Sequence, residues 1–184
     1  MKSMIKSALF RSATRARNFV VFLAINLFLA TTQLFAGFPI GTPVATSAGP
    51  VPIEYLIPGS LIVGFEEEEV RLMPMEIKAI HDMPKQAHVI AITTENARFV
   101  VTTDQLIFDA GTQTSIAAQH WTTANQFLTK DGQVLPTLGV EQIAADALTF
   151  CEMAIEIPHL FFAFREEILV HNAQASDAIA CAAA

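Results

Sequence analysis

The chain has 184 residues and a formal charge of −7, with 52% hydrophobic residues against 16% charged. That balance excludes a disordered polymer, and nine Pro and eight Gly favour short strands joined by turns. Lys2, Lys6, Arg11, Arg15 and Arg17 all precede Gly37. The remainder therefore holds six Lys and Arg against eighteen Asp and Glu, a formal −12, which argues against a nucleic-acid-binding surface.

Residues 1–36 read as a leader in three parts. A basic stretch runs to Arg17, an apolar stretch spans 19–30, and Leu34-Phe35-Ala36 presents a small residue for cutting. This is the layout of a signal peptide cleaved after Ala36, its apolar part an expected hydrophobic helix. The rival is a retained signal anchor, which would tether the protein to a membrane. The apolar run is short for a span and Asn26 interrupts it, so no stable membrane span is expected once the leader is removed. Either way the expected location is outside the cytoplasm: periplasmic, secreted or at the cell surface.

From Gly37 the pattern is all-β. Residues 38–46 carry Pro39, Gly41 and Pro43 and predict an irregular start. Residues 51–57 form an amphipathic run stopped by the turn pair Pro58-Gly59. A strand is predicted over 60–65. The four glutamates 66–69 read as a solvated loop, because cation ligands must converge and adjacency alone does not achieve that. Residues 87–93 and 97–103 predict a hairpin around Thr94-Glu95-Asn96. Further strands are expected at 106–108 and 133–138, with a helical turn in 120–127 and a tight turn at Lys130-Asp131-Gly132. The last two predicted strands, 150–157 and 161–170, are separated at Pro158.

The chemistry-bearing residues gather at the end of that pattern. His159 precedes an aromatic run, and the apolar segment Ile168-Leu169-Val170 closes on His171-Asn172. An asparagine can attack its own backbone carbonyl through its side-chain amide, forming a succinimide and cutting the bond to the next residue. The reaction needs a polarised carbonyl and a protonated leaving amine, and histidine suits both because it titrates near neutrality. The plain alternative is a last strand with a polar end.

Six segments, in order, resemble the hedgehog/intein (Hint) family of self-processing domains. They are GFPIGTPV from Gly37, PIEYLIPGSLIVGF from Pro52, FVVTTDQLIF from Phe99, HWTTANQFLTKDGQVL from His120, FCEMAIEIPHLFFAF from Phe150 and ILVHNA from Ile168. The resemblance implies one domain over 37–173, followed by an Ala-rich tail over 174–184. The implied fold is a compact, horseshoe-like β structure with pseudo-two-fold symmetry, in which both domain ends meet at one site.

The resemblance also implies what the chain lacks. Splicing in the family begins when a thiol or hydroxyl on the first residue attacks the preceding carbonyl; that position is Gly37, which has no side chain. In the Thr-x-x-His block Thr102 is kept but the histidine is Gln105, which hydrogen-bonds but does not exchange protons near neutral pH. The residue after the terminal asparagine should carry a nucleophile and is Ala173. Splicing is therefore excluded, and His159, His171 and Asn172 match the half of the machinery that cyclises asparagine. In that assignment Asn172 is the nucleophile, His171 polarises the scissile carbonyl, His159 relays protons and Glu152 is a possible support. Cutting after Asn172 would release residues 173–184.

Cys151 reads as a buried apolar position and Cys181 as part of the tail; export would permit a disulfide, but spacing does not call for one. His81, His88 and His120 read as surface histidines without metal-ligand spacing. No metal or cofactor is expected. The expected substrate is the chain itself, with an unidentified protein partner as a further possibility. Two functions stand: a domain that cleaves its own chain once, or an inert Hint-fold domain serving binding or scaffolding. A conventional hydrolase has neither Gly-x-Ser-x-Gly nor His-Glu-x-x-His in its favour.

Overall fold

The computed structural model describes residues 36–83, 85–86, 88–156 and 159–172. The expected leader helix, Pro158, Ala173, the tail and Cys181 lie outside the described residues. Fifteen strands occur among the described residues. In chain order they begin with β1 (Phe38–Pro39), β2 (Pro43–Thr46), β3 (Gly49–Pro52), β4 (Leu61–Glu66) and β5 (Arg71–Asp82). Then come β6 (His88–Thr93), β7 (Arg98–Thr102), β8 (Leu106–Asp109), β9 (Thr114–Ala117) and β10 (Gln126–Leu128). The last are β11 (Val134–Pro136), β12 (Gly139–Ala144), β13 (Phe150–Ile155), β14 (Leu160–Ala163) and β15 (Ile168–His171).

A three-stranded sheet has the order β12-β6-β7, and the other twelve strands join in one sheet. Strand β5 is the hinge of that larger sheet. Its first half, Arg71 to Glu76, pairs with β4, and its second half, Ile77 to Asp82, pairs with β13. Its core-facing residues Met73, Met75 and Ile77 alternate with outward ones, as a strand with one buried face requires. Pro74 gives up one ladder donor opposite Val63 and obscures the alternation in the sequence.

A run of aromatic rings threads the core. Phe38 packs against Phe161 and Phe164, Phe164 stacks on Phe99 at 4.4 Å, and Phe99, Phe127 and Trp121 continue the contact. These pairs tie β1, β7, β10 and the terminal hairpin together, each contributing about 0.5–1.5 kcal/mol beyond its burial. The Trp121 indole N–H, buried with them, donates to Thr137 Oγ1 at 2.9 Å. Asp109 is the polar anchor of the neighbouring loops. Its carboxylate accepts from the backbone N–H groups of Gly111, Thr112 and Gln126 and from the Thr112 and Asn125 side chains.

Two expectations are corrected. Residues 161–170 are not one strand but the β14–β15 hairpin, whose turn places Phe164 at φ 68° and Glu167 at φ 50°. Phe164 accepts that left-handed backbone while its ring stays buried in the aromatic run. The turn is also held by the Lys130–Glu167 ion pair and by Lys130 N–H donating to the Glu167 carbonyl. Residues 120–127 do not form a helical turn: a short 3-10 turn covers Ala118–His120, and β10 begins at Gln126. By contrast, the hairpin around Thr94-Glu95-Asn96 and the turns at Pro58-Gly59 and Lys130-Asp131-Gly132 are present.

Candidate functional site

The two ends of the described domain meet at one four-residue turn, Thr102 to Gln105, closed by Gln105 N–H donating to the Thr102 carbonyl. At its first residue, the Thr102 hydroxyl accepts from Gly37 N–H at 2.9 Å, and Thr102 N–H donates to the Gly37 carbonyl at 3.3 Å. At its last, the Gln105 side-chain amide donates to the His171 carbonyl at 2.6 Å and to the Leu106 carbonyl at 2.8 Å. One turn thus clasps Gly37 and the residue before Asn172.

At the N-terminal side, Gly37 is buried and β1 pairs Phe38 with Cys151 of β13. A Cβ built on Gly37 would overlap the Met83 sulfur and come within 3.1 Å of the Cys151 carbonyl. The space a side chain at position 37 would need is filled by a methionine that sequence reading did not single out. Met83 carries no motif, and its position follows only from where β5 ends. Cys151 is a buried free thiol whose pKa is pushed up by burial first and then by the charges of Asp82 and Glu54. That keeps it a neutral apolar side chain and not a nucleophile.

At the C-terminal side, the β14–β15 register sets Leu160 opposite His171, so His159 and Asn172 flank the end of the ladder. Asn172 N–H donates to the His159 carbonyl at 2.9 Å. The two imidazoles approach with ring centroids 5.8 Å apart. His159 has φ 68°, a left-handed backbone that costs a β-carbon-bearing residue of order 1 kcal/mol and collects at functional sites. Its Nδ1 lies 3.1 Å from the Ile155 carbonyl, which can only accept. Nδ1 therefore carries the proton in the neutral ring, and Nε2 keeps the lone pair.

His171 is driven below its ordinary pKa of 6.5, by burial first and by His159 second, so it is neutral at neutral pH. Among the described residues its Nδ1, buried, has no hydrogen-bond partner. The same holds for both side-chain polar atoms of Asn172, a residue only 1% exposed, and for the Gln105 side-chain carbonyl. Unsatisfied buried polar groups cost roughly 1–3 kcal/mol each, so a cluster of them on neighbouring residues is a local cost that packing alone does not explain.

The sequence-derived residues thus separate into two groups. His159, His171, Asn172 and Gln105 share one corner, and Gly37 and Thr102 share the other end of the same turn. Glu152 lies on β13 opposite His81 of β5, on the strand that carries Cys151. His88 and His120 are exposed, as expected for surface histidines, while His81 is half-buried with its Nε2 shielded. No helix among the described residues is long and apolar enough to cross a membrane.

No protein-family model and no curated protein sequence matches the chain. Solved structures do. An intein-like domain from Clostridium thermocellum superposes with a TM-score of 0.69 at 19% identity, over 75% of this chain and 99% of that one. A DnaB intein from Synechocystis sp. PCC 6803 gives 0.63 at 11% identity, over 76% and 99%. A variant of the Ssp DnaB mini-intein gives 0.64 at 12% identity, over 74% and 93%. At such low identities the likeness establishes architecture alone: this chain has the all-β fold of Hint and intein-like domains.

Proposed function

We propose that the chain is an exported, intein-like self-processing domain that does not splice and that cleaves itself once, after Asn172. The observation that supports this reading is the buried Asn172 amide, without a partner among the described residues, beside two histidines in a fold shared with intein-like domains. Asn172 Nδ2 attacks its own backbone carbonyl carbon, giving up a proton. The Asn172–Ala173 C–N bond breaks, and the released amine of Ala173 takes a proton. Neutral His171 polarises the carbonyl by hydrogen bonding, as an uncharged imidazole can. His159 uses its Nε2 lone pair to carry the proton from the attacking amide to the leaving amine. The products are a domain ending in a cyclic imide and the twelve-residue peptide 173–184.

The steps of splicing proper have no groups to carry them. Gly37 offers no nucleophile, Gln105 no side chain that gives up a proton near neutral pH and Ala173 no acceptor, so no ester or thioester links the two ends. Removal of the leader after Ala36 would leave Gly37 as the first residue of the mature protein, already free of upstream sequence. N-terminal sequencing of the exported protein tests that part: a first residue well away from Gly37 contradicts it. Intact-mass measurement tests the reaction. Loss of 173–184 in the wild type and retention in Asn172→Ala support self-cleavage, whereas an unchanged wild-type mass over days supports the inert scaffold.

A further inference from the structure

We infer that Gln105 is a positioning residue for Asn172: its side-chain amide fixes the peptide plane that leads into the reacting asparagine. The inference rests on the cleavage reading above. It starts from the 171–172 peptide unit, both of whose polar atoms are held. The His171 carbonyl accepts from Gln105 Nε2 at 2.6 Å, and Asn172 N–H donates to the His159 carbonyl at 2.9 Å. With that plane fixed from two sides, the N and Cα atoms of Asn172 are anchored while φ, ψ and the side-chain torsions remain. Of these, χ1 and χ2 bring Nδ2 onto its own carbonyl carbon and ψ turns the carbonyl face toward it, so the attack is made from a fixed root. Removing motions that do not lead to attack supplies rate without touching the reacting atoms.

Gln105 is itself rigid. It is 0% exposed, its N–H donates to the Thr102 carbonyl, its carbonyl accepts from Ala118 N–H, and its second side-chain bond goes to Leu106. Burying an amide whose Oε1 finds no partner among the described residues is costly, and the two bonds that its Nε2 donates offset that cost. A glutamine that cannot exchange protons suits this task, because the His171 carbonyl requires a donor that does not change with pH.

The test measures cleavage of the full chain in wild type, Gln105→Met and Gln105→Glu from about pH 5 to about pH 8, each rate divided by the wild-type rate to remove the pH dependence common to the three proteins. Methionine keeps the length but has no donor. A buried glutamic acid donates while protonated and repels the His171 carbonyl once ionised. Expected are a loss of at least about tenfold in Gln105→Met at every pH, and in Gln105→Glu a rate within about threefold of wild type at low pH that falls at least about tenfold as pH rises. Rates within about threefold of wild type in both variants throughout, or a pH-independent loss in Gln105→Glu, overturn the assignment.

Amide exchange of Asn172, followed by NMR, separates this from the cleavage reading. Exchange about tenfold faster in Gln105→Met, with Phe161 in the same hairpin unchanged, upholds the positioning role even if the wild type never cleaves, in which case only the proposed reaction falls. Unchanged exchange at Asn172 overturns the positioning role.

Discussion

The Met83 sulfur lies where a side chain on Gly37 would begin, and the Cys151 carbonyl closes the same space from the other strand. Gly37 is not among the glycines with positive φ, so what a larger residue meets there is crowding and not backbone strain. Gly37→Ala is expected to lower stability by about 1–3 kcal/mol, the usual cost of overpacking. Made in a Met83→Ala background, the same change is expected to cost about 1 kcal/mol less, because the two sites share one volume. Urea denaturation of the four proteins of that cycle checks both values; additive losses would mean that Met83 does not occupy the position.

Asn172 carries the opposite signature. A buried, hydrogen-bonded asparagine stabilises its protein, but both polar atoms of this side chain lack a partner among the described residues. Asn172→Ala is therefore expected to leave stability unchanged or to raise it by up to about 2 kcal/mol while abolishing release of the tail. Denaturation midpoints of Asn172→Ala and of freshly prepared uncleaved wild type give the comparison. A loss above about 2 kcal/mol would indicate an ordinary structural asparagine.

His171 ties stability to pH in a definite direction. Its folded pKa lies below 6.5, because burial and then His159 disfavour the charged ring. The unfolded chain therefore binds the proton first as the solution is acidified. The stability linked to neutral His171 is fully present above pH 6.5 and is lost as pH falls from there through the depressed folded value. Thermal melts of Asn172→Ala across this range should show the decline, and His171→Gln in that background should flatten it. An identical decline in both would assign the effect to another group.

Asp109 is expected to matter for the fold and not for the chemistry. Burial is the largest single influence on its carboxyl and raises its pKa. The hydrogen bonds from Gln126, Thr112, Asn125 and Gly111 together outweigh it and hold the group below its ordinary value of 3.8. Its stabilisation is thus present above pH 3.8 and lost as pH falls through the lower folded value. Asp109→Ala, which strips partners from three backbone N–H groups, is expected to cost about 2–4 kcal/mol by chemical denaturation. At a temperature where this variant remains folded, its cleavage rate should stay within about threefold of wild type, since Asp109 touches neither histidine nor Asn172.

What could be read from the chain followed how local each signal was. Pro58-Gly59, Thr94-Glu95-Asn96 and Lys130-Asp131-Gly132 set their turns through neighbouring residues, and they stand where expected. His159, His171 and Asn172 were legible as a group because a single hairpin returns them to one place. Strand β5 went unread because Pro74 breaks its alternation, and its partners β4 and β13 lie on opposite sides in sequence. The β14–β15 turn was hidden because Phe164, among the poorer residues for a left-handed backbone, is held there by its ring contacts with Phe38 and Phe99. Met83 beside Gly37 and Gln105 beneath His171 are contacts across 46 and 66 residues respectively, and no spacing rule reaches that far.

The most direct measurement is tandem mass spectrometry of the C-terminal tryptic peptide from full-length protein incubated near neutral pH. Self-cleavage predicts the peptide 166–172 ending in a cyclic imide at Asn172 or its hydrolysis product, with free 173–184 beside it and neither species in Asn172→Ala. A chain still continuous through Ala173 after days, or a cut at any other bond, would contradict it.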